Sequence, residues 1–121
     1  MRVLDIGCGI GDVALLVADA VGASGAVVGI DRELKAVETA RIRAYEAGYR
    51  HIVFAVDTDE STQNYSPFDA AIGRYVLIHQ PDPALMVRRA AASVKAGGIV
   101  AFQEPYFHVP GSSTIPMLDL W

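Results

Sequence analysis

Short apolar runs alternate with amphipathic segments along the chain. Val3, Leu4 and Ile6 form a first run that ends in Gly7-Cys8-Gly9-Ile10-Gly11. Behind it, Val13, Leu16, Val17 and Ala20 recur at helical spacing and are expected to face inward. Gly22 to Gly25 reads as a turn, and Ala26 to Ile30 as a second buried strand that stops at Asp31. The next helix is predicted from about Glu33 to Ala47, with Gly48 as its stop. Its inward positions are Leu34, Val37, Ala40 and Ala44, while Arg41, Arg43 and Glu46 are assigned to solvent. Ile52 to Val56 is a third strand ending at Asp57. Thr58 to Pro67 is polar and lacks periodicity, so a loop is expected there. Phe68 to Ile72 follows as a fourth strand. Pro81-Asp82-Pro83 opens another helix, with Asp82 as its cap and Pro83 in its first turn. Val87, Ala90, Ala91 and Val94 are expected inward, Arg88 and Arg89 outward, and Lys95 with Gly97-Gly98 closes it. Ile99 to Phe102 is the fifth strand, and beyond Pro105 the pattern is lost.

Strands without period-two alternation, separated by helices, indicate a parallel sheet covered on both faces, an α/β fold. The 121 residues suit a single domain spanning 1–121. A chain that is 52% hydrophobic and only 20% charged is not a disordered one. Val13 to Ile30 is apolar enough to imitate a membrane span, but Asp19, Gly22, Gly25 and Gly29 interrupt it. Asp5 and Asp12 stand where a signal peptide would carry its basic end and apolar core. The single cysteine, Cys8, excludes an internal disulfide and fits a reducing, cytoplasmic setting. With ten basic residues against fourteen acidic and no basic block, nucleic acid is not an expected partner. No His/Cys/Asp/Glu spacing suggests a metal site.

In such a sheet, ligands bind beyond the carboxyl ends of the strands, where the strand order reverses. Those ends carry the glycine loop, Asp31, Asp57 and Gly73-Arg74-Tyr75. A glycine loop allows a sharp turn and a close ligand approach. Asp31, twenty residues after Gly11, can accept hydrogen bonds from both hydroxyls of a ribose, and it can also cap the next helix. The dinucleotide fingerprint would need glycine or alanine at position 12, where this chain has Asp12. An acid at a helix mouth sits badly beside a pyrophosphate, whereas a phosphate-free ligand with a positive centre tolerates it. The Walker lysine loop is absent.

Val3-Leu4-Asp5-Ile6-Gly7-Cys8-Gly9-Ile10-Gly11 resembles motif I of the class I S-adenosylmethionine-dependent methyltransferases. Val28-Gly29-Ile30-Asp31 resembles their second-strand motif. Phe68-Asp69-Ala70-Ala71-Ile72-Gly73-Arg74 and Pro81-Asp82-Pro83 are similar to the fourth-strand region, and Lys95-Ala96-Gly97-Gly98-Ile99 to the turn into strand five. Similarity is closest to the small-molecule branch that includes the ubiquinone and menaquinone biosynthesis methyltransferases. The resemblance implies a three-layer, Rossmann-like, doubly wound parallel sheet of order 3-2-1-4-5, lacking the family's usual strands six and seven. It implies S-adenosyl-L-methionine as cofactor. Gly7, Cys8, Gly9 and Gly11 would then form the loop under the methionine and ribose parts. Asp5 would hold the loop and the methionine amino group, and Asp31 the ribose hydroxyls, with Arg32 beside the adenine. Asp57 and Thr58 would reach the adenine edge, and Gly73-Arg74 would offer backbone to the methionine portion.

The methyl group of that cofactor leaves from a sulfonium, so the protein mainly supplies alignment and exclusion of water. A base is needed only where the acceptor must lose a proton. His79, Glu104, Tyr106 and His108 follow strands four and five, and His79 is the first candidate for that base. The competing role for His79 is packing where the following helix begins. A small-molecule acceptor is expected. Against the family pattern, the chain starts within strand one and ends early, which reads as a piece of a longer enzyme. An unpaired strand-five edge, or the tail Tyr106 to Trp121, is then expected to support a homodimer. Two other functions compete: a non-catalytic cofactor-binding or partner-pairing module, and an NAD-dependent oxidoreductase, which Asp12 disfavours.

Overall fold

The computed structural model describes residues 1–104, with residues 59–61 described by backbone alone. In chain order the elements are β1 (Arg2–Ile6), α1 (Asp12–Val21), β2 (Ala26–Asp31), α2 (Leu34–Glu46), β3 (Ile52–Val56), α3 (Asp59–Tyr65) and β4 (Phe68–Arg74). A one-turn 3-10 helix (Leu77–His79), α4 (Pro83–Ser93) and β5 (Val94–Gln103) follow. All strand pairs are parallel, in the order β3-β2-β1-β4-β5 expected for this α/β sheet.

Strand parity divides the core. Leu4, Ile6, Val28, Ile30 and Ala71 lie on one face, packed with Phe68, Phe102 and the Met86 and Ala90 of α4. Val27 and Phe54 lie on the other, against Ala14 and Ala18 of α1 and Val37, Ala40 and Ala44 of α2. β1 and β2 are each buried at four positions in a row, Asp5 among them, as strands covered on both faces are.

Several local expectations are corrected. Thr58–Pro67 is not a loop throughout, because Asp59–Tyr65 forms α3. Two polar turns are too short to show a helical period, and Tyr65 at their end packs on the core. The inward stripe of α1 is Ala14 and Ala18, while Leu16 is 69% exposed. Nearly every residue of α1 is apolar, so spacing reveals the period of the helix without its phase. In α2, Leu34 is exposed rather than inward. In α4 the buried positions are Met86, Ala90 and Ser93, and Ala91 faces out. The Ser93 hydroxyl donates to the Ala90 carbonyl at 2.7 Å, which lets a polar residue turn inward.

Strand β4 continues through Gly73 to Arg74. Strand β5 starts early, at Val94, which pairs with Phe68 before Ile99 resumes the register opposite Ala70. Lys95 to Gly98 therefore bulge opposite Asp69, to which Lys95 is ion-paired, instead of ending the helix. The expected cap of α4 is in place: the Leu85 N–H donates to Asp82 Oδ1 at 3.1 Å.

Candidate functional site

The strand order reverses between β1 and β4, and the loops beyond that point form the candidate site. The first is the turn from β1 into α1. Gly9 has φ +54 and open space where a side chain would project, so a ligand can approach its backbone. Gly7 has φ +67, and a Cβ there would stand 2.8 Å from Val76 Cγ2. Gly11 is buried at the mouth of α1 beneath Phe54 and Ala40, a packing position.

Two side chains pin this turn. Asp31, at the end of β2, accepts the Gly9 N–H on Oδ2 and the Glu33 N–H on Oδ1, each at 2.9 Å. It thus secures the glycine loop and the start of α2 together. Arg43 Nη1 donates to the Ile10 carbonyl at 2.6 Å and to Asp12 Oδ1 at 2.9 Å. Assigning Arg43 to solvent missed this contact, which joins residues 33 and 31 positions apart and has no local signal. Arg41 is likewise engaged, with two nitrogens donating to the Phe54 carbonyl at the sheet edge.

Asp5 is 2% exposed, and its Oδ2 has no hydrogen-bond partner. Burial, and secondarily the charge of Asp31, raises its carboxyl to about 7. A buried acceptor left open beside a ligand cleft is an attachment point for a donor, such as an ammonium group. Burial also pushes the Cys8 thiol up to about 12, assisted by Asp5 and Asp31, so Cys8 is a small filler and not a nucleophile.

The candidate residues converge on two clefts. Gly7, Asp31, Arg32, Asp57, Arg74 and His79 line a cleft of about 460 Å³, within the range of small-molecule sites, about 300–1,000 Å³. Asp5, Gly73 and Arg74 line a second of about 180 Å³. Cys8 and Gly9 belong to the loop between strand end and helix, and Thr58 is exposed just after Asp57. Arg32 Nη2 donates to Gln80 Oε1 at 2.7 Å, joining the end of β2 to the turn before α4. Arg89, expected in solvent, reaches Asp57 Oδ1 at 3.5 Å, and the Asp57 N–H donates to the Asp31 carbonyl. His79 is exposed at the end of the 3-10 turn. Glu104, 5% exposed, supports that turn by accepting the Leu77 N–H at 2.6 Å.

Tyr75, placed by the sequence at the end of strand four with Gly73 and Arg74 but given no role there, lines the larger cleft. Among the described residues it alone has positive φ without being glycine, at 53°, and its N–H donates to the Gln103 carbonyl at 2.7 Å. Such backbone strain gathers at functional sites. Tyr106, His108 and the tail to Trp121 lie outside the described residues. Among the described residues, no group of three or more His, Cys, Asp or Glu could hold a metal, and no helix is long and apolar enough to cross a membrane.

The open space at Gly9, the carboxylate of Asp31 and the orphan oxygen of Asp5 fit a nucleoside carrying an amino acid. Comparison with known proteins gives the family. The chain is 39% identical over 119 residues to the aklanonic acid methyltransferase DauC of Streptomyces sp. (strain C5), covering 97% of this chain and 52% of that protein. It is 41% identical over 104 residues to a ubiquinone biosynthesis O-methyltransferase of Paracidovorax citrulli, covering 84% of this chain and 42% of that protein. The chain thus spans about half the length of the curated relatives it matches. Among solved structures, the arsenic (III) S-adenosylmethionine methyltransferase of Chlamydomonas reinhardtii superimposes with a TM-score of 0.78 at 29% identity, over 91% of this chain and 41% of that one. Residues 1–115 match the family described as a methyltransferase domain, and the chain belongs to that family.

Proposed function

We propose that this chain is the S-adenosyl-L-methionine-binding core, residues 1–121, of an enzyme that methylates a small molecule. The observation that carries the reading is the Asp31 carboxylate, held by Gly9 and Glu33 amides at the lip of the larger cleft. From there it accepts ribose hydroxyls, while Arg32 and Asp57, with Thr58, flank the adenine side. Asp5 Oδ2 accepts from the methionine ammonium, and the Gly73-Arg74 backbone supports the same end. Gly7, Cys8, Gly9 and Gly11 let the β1–α1 turn pass beneath the ligand. The cofactor supplies a methyl group on a sulfonium, ready for in-line displacement. The chain's residues position that group and exclude water. His79, on the rim of the larger cleft, takes the proton of an acceptor that must lose one.

Relatives named for aklanonic acid and ubiquinone biosynthesis support a small-molecule acceptor. The net charge of −4 supports neither nucleic acid nor an anionic membrane as partner. The lone buried thiol suits the cytoplasm. A homodimer through the outer edge of β5 or the C-terminal tail completes the reading.

Calorimetric titration with S-adenosylhomocysteine, beside NAD, tests the proposal. Saturable binding of the first and none of the second is expected. Binding of NAD in its place sinks the proposal.

A further inference from the structure

One wall of the larger cleft is the short segment between β4 and α4, from which Tyr75, Val76, His79 and Gln80 line it. Val76 also packs against the glycine loop, where a Cβ on Gly7 would stand 2.8 Å from its Cγ2. The segment turns at Tyr75, whose φ of 53° is unfavourable for a bulky side chain and persists only where the surroundings enforce it. Two neighbouring residues at the end of β5 supply that restraint. The Gln103 carbonyl accepts the Tyr75 N–H at 2.7 Å, and Glu104 Oε1 accepts the Leu77 N–H at 2.6 Å. The second bond satisfies an amide at the start of the 3-10 turn, where a helix cannot supply the partner itself. Glu104 is 5% exposed and is not among the residues lining either cleft. Its Oε2 has no hydrogen-bond partner among the described residues. Burying a carboxylate on those terms is costly, and the bond it makes goes to this turn.

We infer that Glu104 is a positioning residue for methyl transfer: it holds Tyr75 in its left-handed conformation and so sets the wall from Val76 to Gln80, His79 included. This deepens the methyltransferase reading and rests on it. Without the carboxylate, Tyr75 relaxes toward negative φ and redirects the chain that follows it. Val76 then withdraws from Gly7, and His79 from the rim of the cleft. Glycine at position 75 adopts positive φ about as readily as negative. It removes the strain that Glu104 counters, so the two positions are coupled through the backbone.

The test is a double-mutant comparison in the 121-residue chain, with Glu104 changed in the parent and in a Tyr75→Gly background. Calorimetry reads S-adenosylhomocysteine affinity. Amide hydrogen exchange reads the turn through the His79 and Gln80 N–H groups, which donate to the Val76 and Leu77 carbonyls. In the parent, Glu104→Leu should weaken binding about tenfold and speed exchange at both amides about tenfold, the effect of losing a charge-assisted bond. Glu104→Gln keeps a neutral acceptor and should lose about threefold. With Tyr75→Gly in place, Glu104→Leu should cost less than about threefold in either readout. An equal loss in both backgrounds marks an ordinary structural bond and overturns the inference, as does a Glu104→Leu chain that behaves like the parent. Should Glu104→Leu not fold, Glu104→Asp, which withdraws the carboxylate by one methylene, makes the same comparison. Failure of the parent chain to bind S-adenosylhomocysteine counts against the methyltransferase reading, while the exchange comparison, which needs no cofactor, still decides the role of Glu104.

Discussion

Replacing Asp5 with Asn keeps the side chain's shape and removes its charge. In the fold, burial and then the neighbouring charge of Asp31 raise the Asp5 carboxyl from 3.8 to about 7. The folded chain therefore keeps a proton that the unfolded chain gives up between those values. The stability this supplies is complete below about pH 3.8, declines as the pH rises, and is gone above about 7. At roughly 1.4 kcal/mol per pH unit, the full step sets a ceiling of about 4 kcal/mol. An amide at the unpartnered Oδ2 position leaves an unpaired N–H, at about 1–3 kcal/mol, but that cost is the same at every pH. The change in the stability gap between the two chains thus isolates ionisation. Urea unfolding at about pH 4.5 and about pH 8 should show the Asp5→Asn chain gaining about 2–3 kcal/mol on the parent. The same substitution should weaken S-adenosylhomocysteine binding, because the ammonium loses its charged acceptor. A gap that stays constant to within about 0.5 kcal/mol would refute the reasoning.

Asp31→Ala removes the acceptor of two backbone N–H groups, so unfolding should become easier by about 2 kcal/mol and S-adenosylhomocysteine affinity should fall more than about tenfold by calorimetry. Arg43→Ala frees the Ile10 carbonyl without touching either cleft, and an affinity lowered about threefold with an unchanged number of sites is expected. Leu4, fully buried between β2 and β4, should cost about 2–5 kcal/mol when cut to Ala, read from the urea midpoint.

The strands and the second helix were legible because each signal is local. The apolar runs at Leu4, Val28 and Ile52 are too short for helices, and Asp31, Asp57 and Gly48 terminate their elements. Asp82 announced its cap for the same reason. The phase of α1 was hidden by its uniform apolarity, and α3 by its brevity. The early start of β5 depends on a bulge opposite Asp69, a tertiary fact. In the site, Asp31 and the glycine loop stood out through spacing. The roles of Arg43, Tyr75 and Arg89 did not, because each depends on a residue or backbone state that only folding brings into place.

The central claim is that a nucleoside cofactor lies across the β1, β2 and β4 ends. Mapping amide NMR shifts during titration with S-adenosylhomocysteine tests it most directly. The account predicts the largest shifts at Gly7, Gly9, Asp31, Arg32 and Gly73, saturating together. Saturating shifts elsewhere in the chain, with Gly7, Gly9 and Asp31 unmoved, would contradict it.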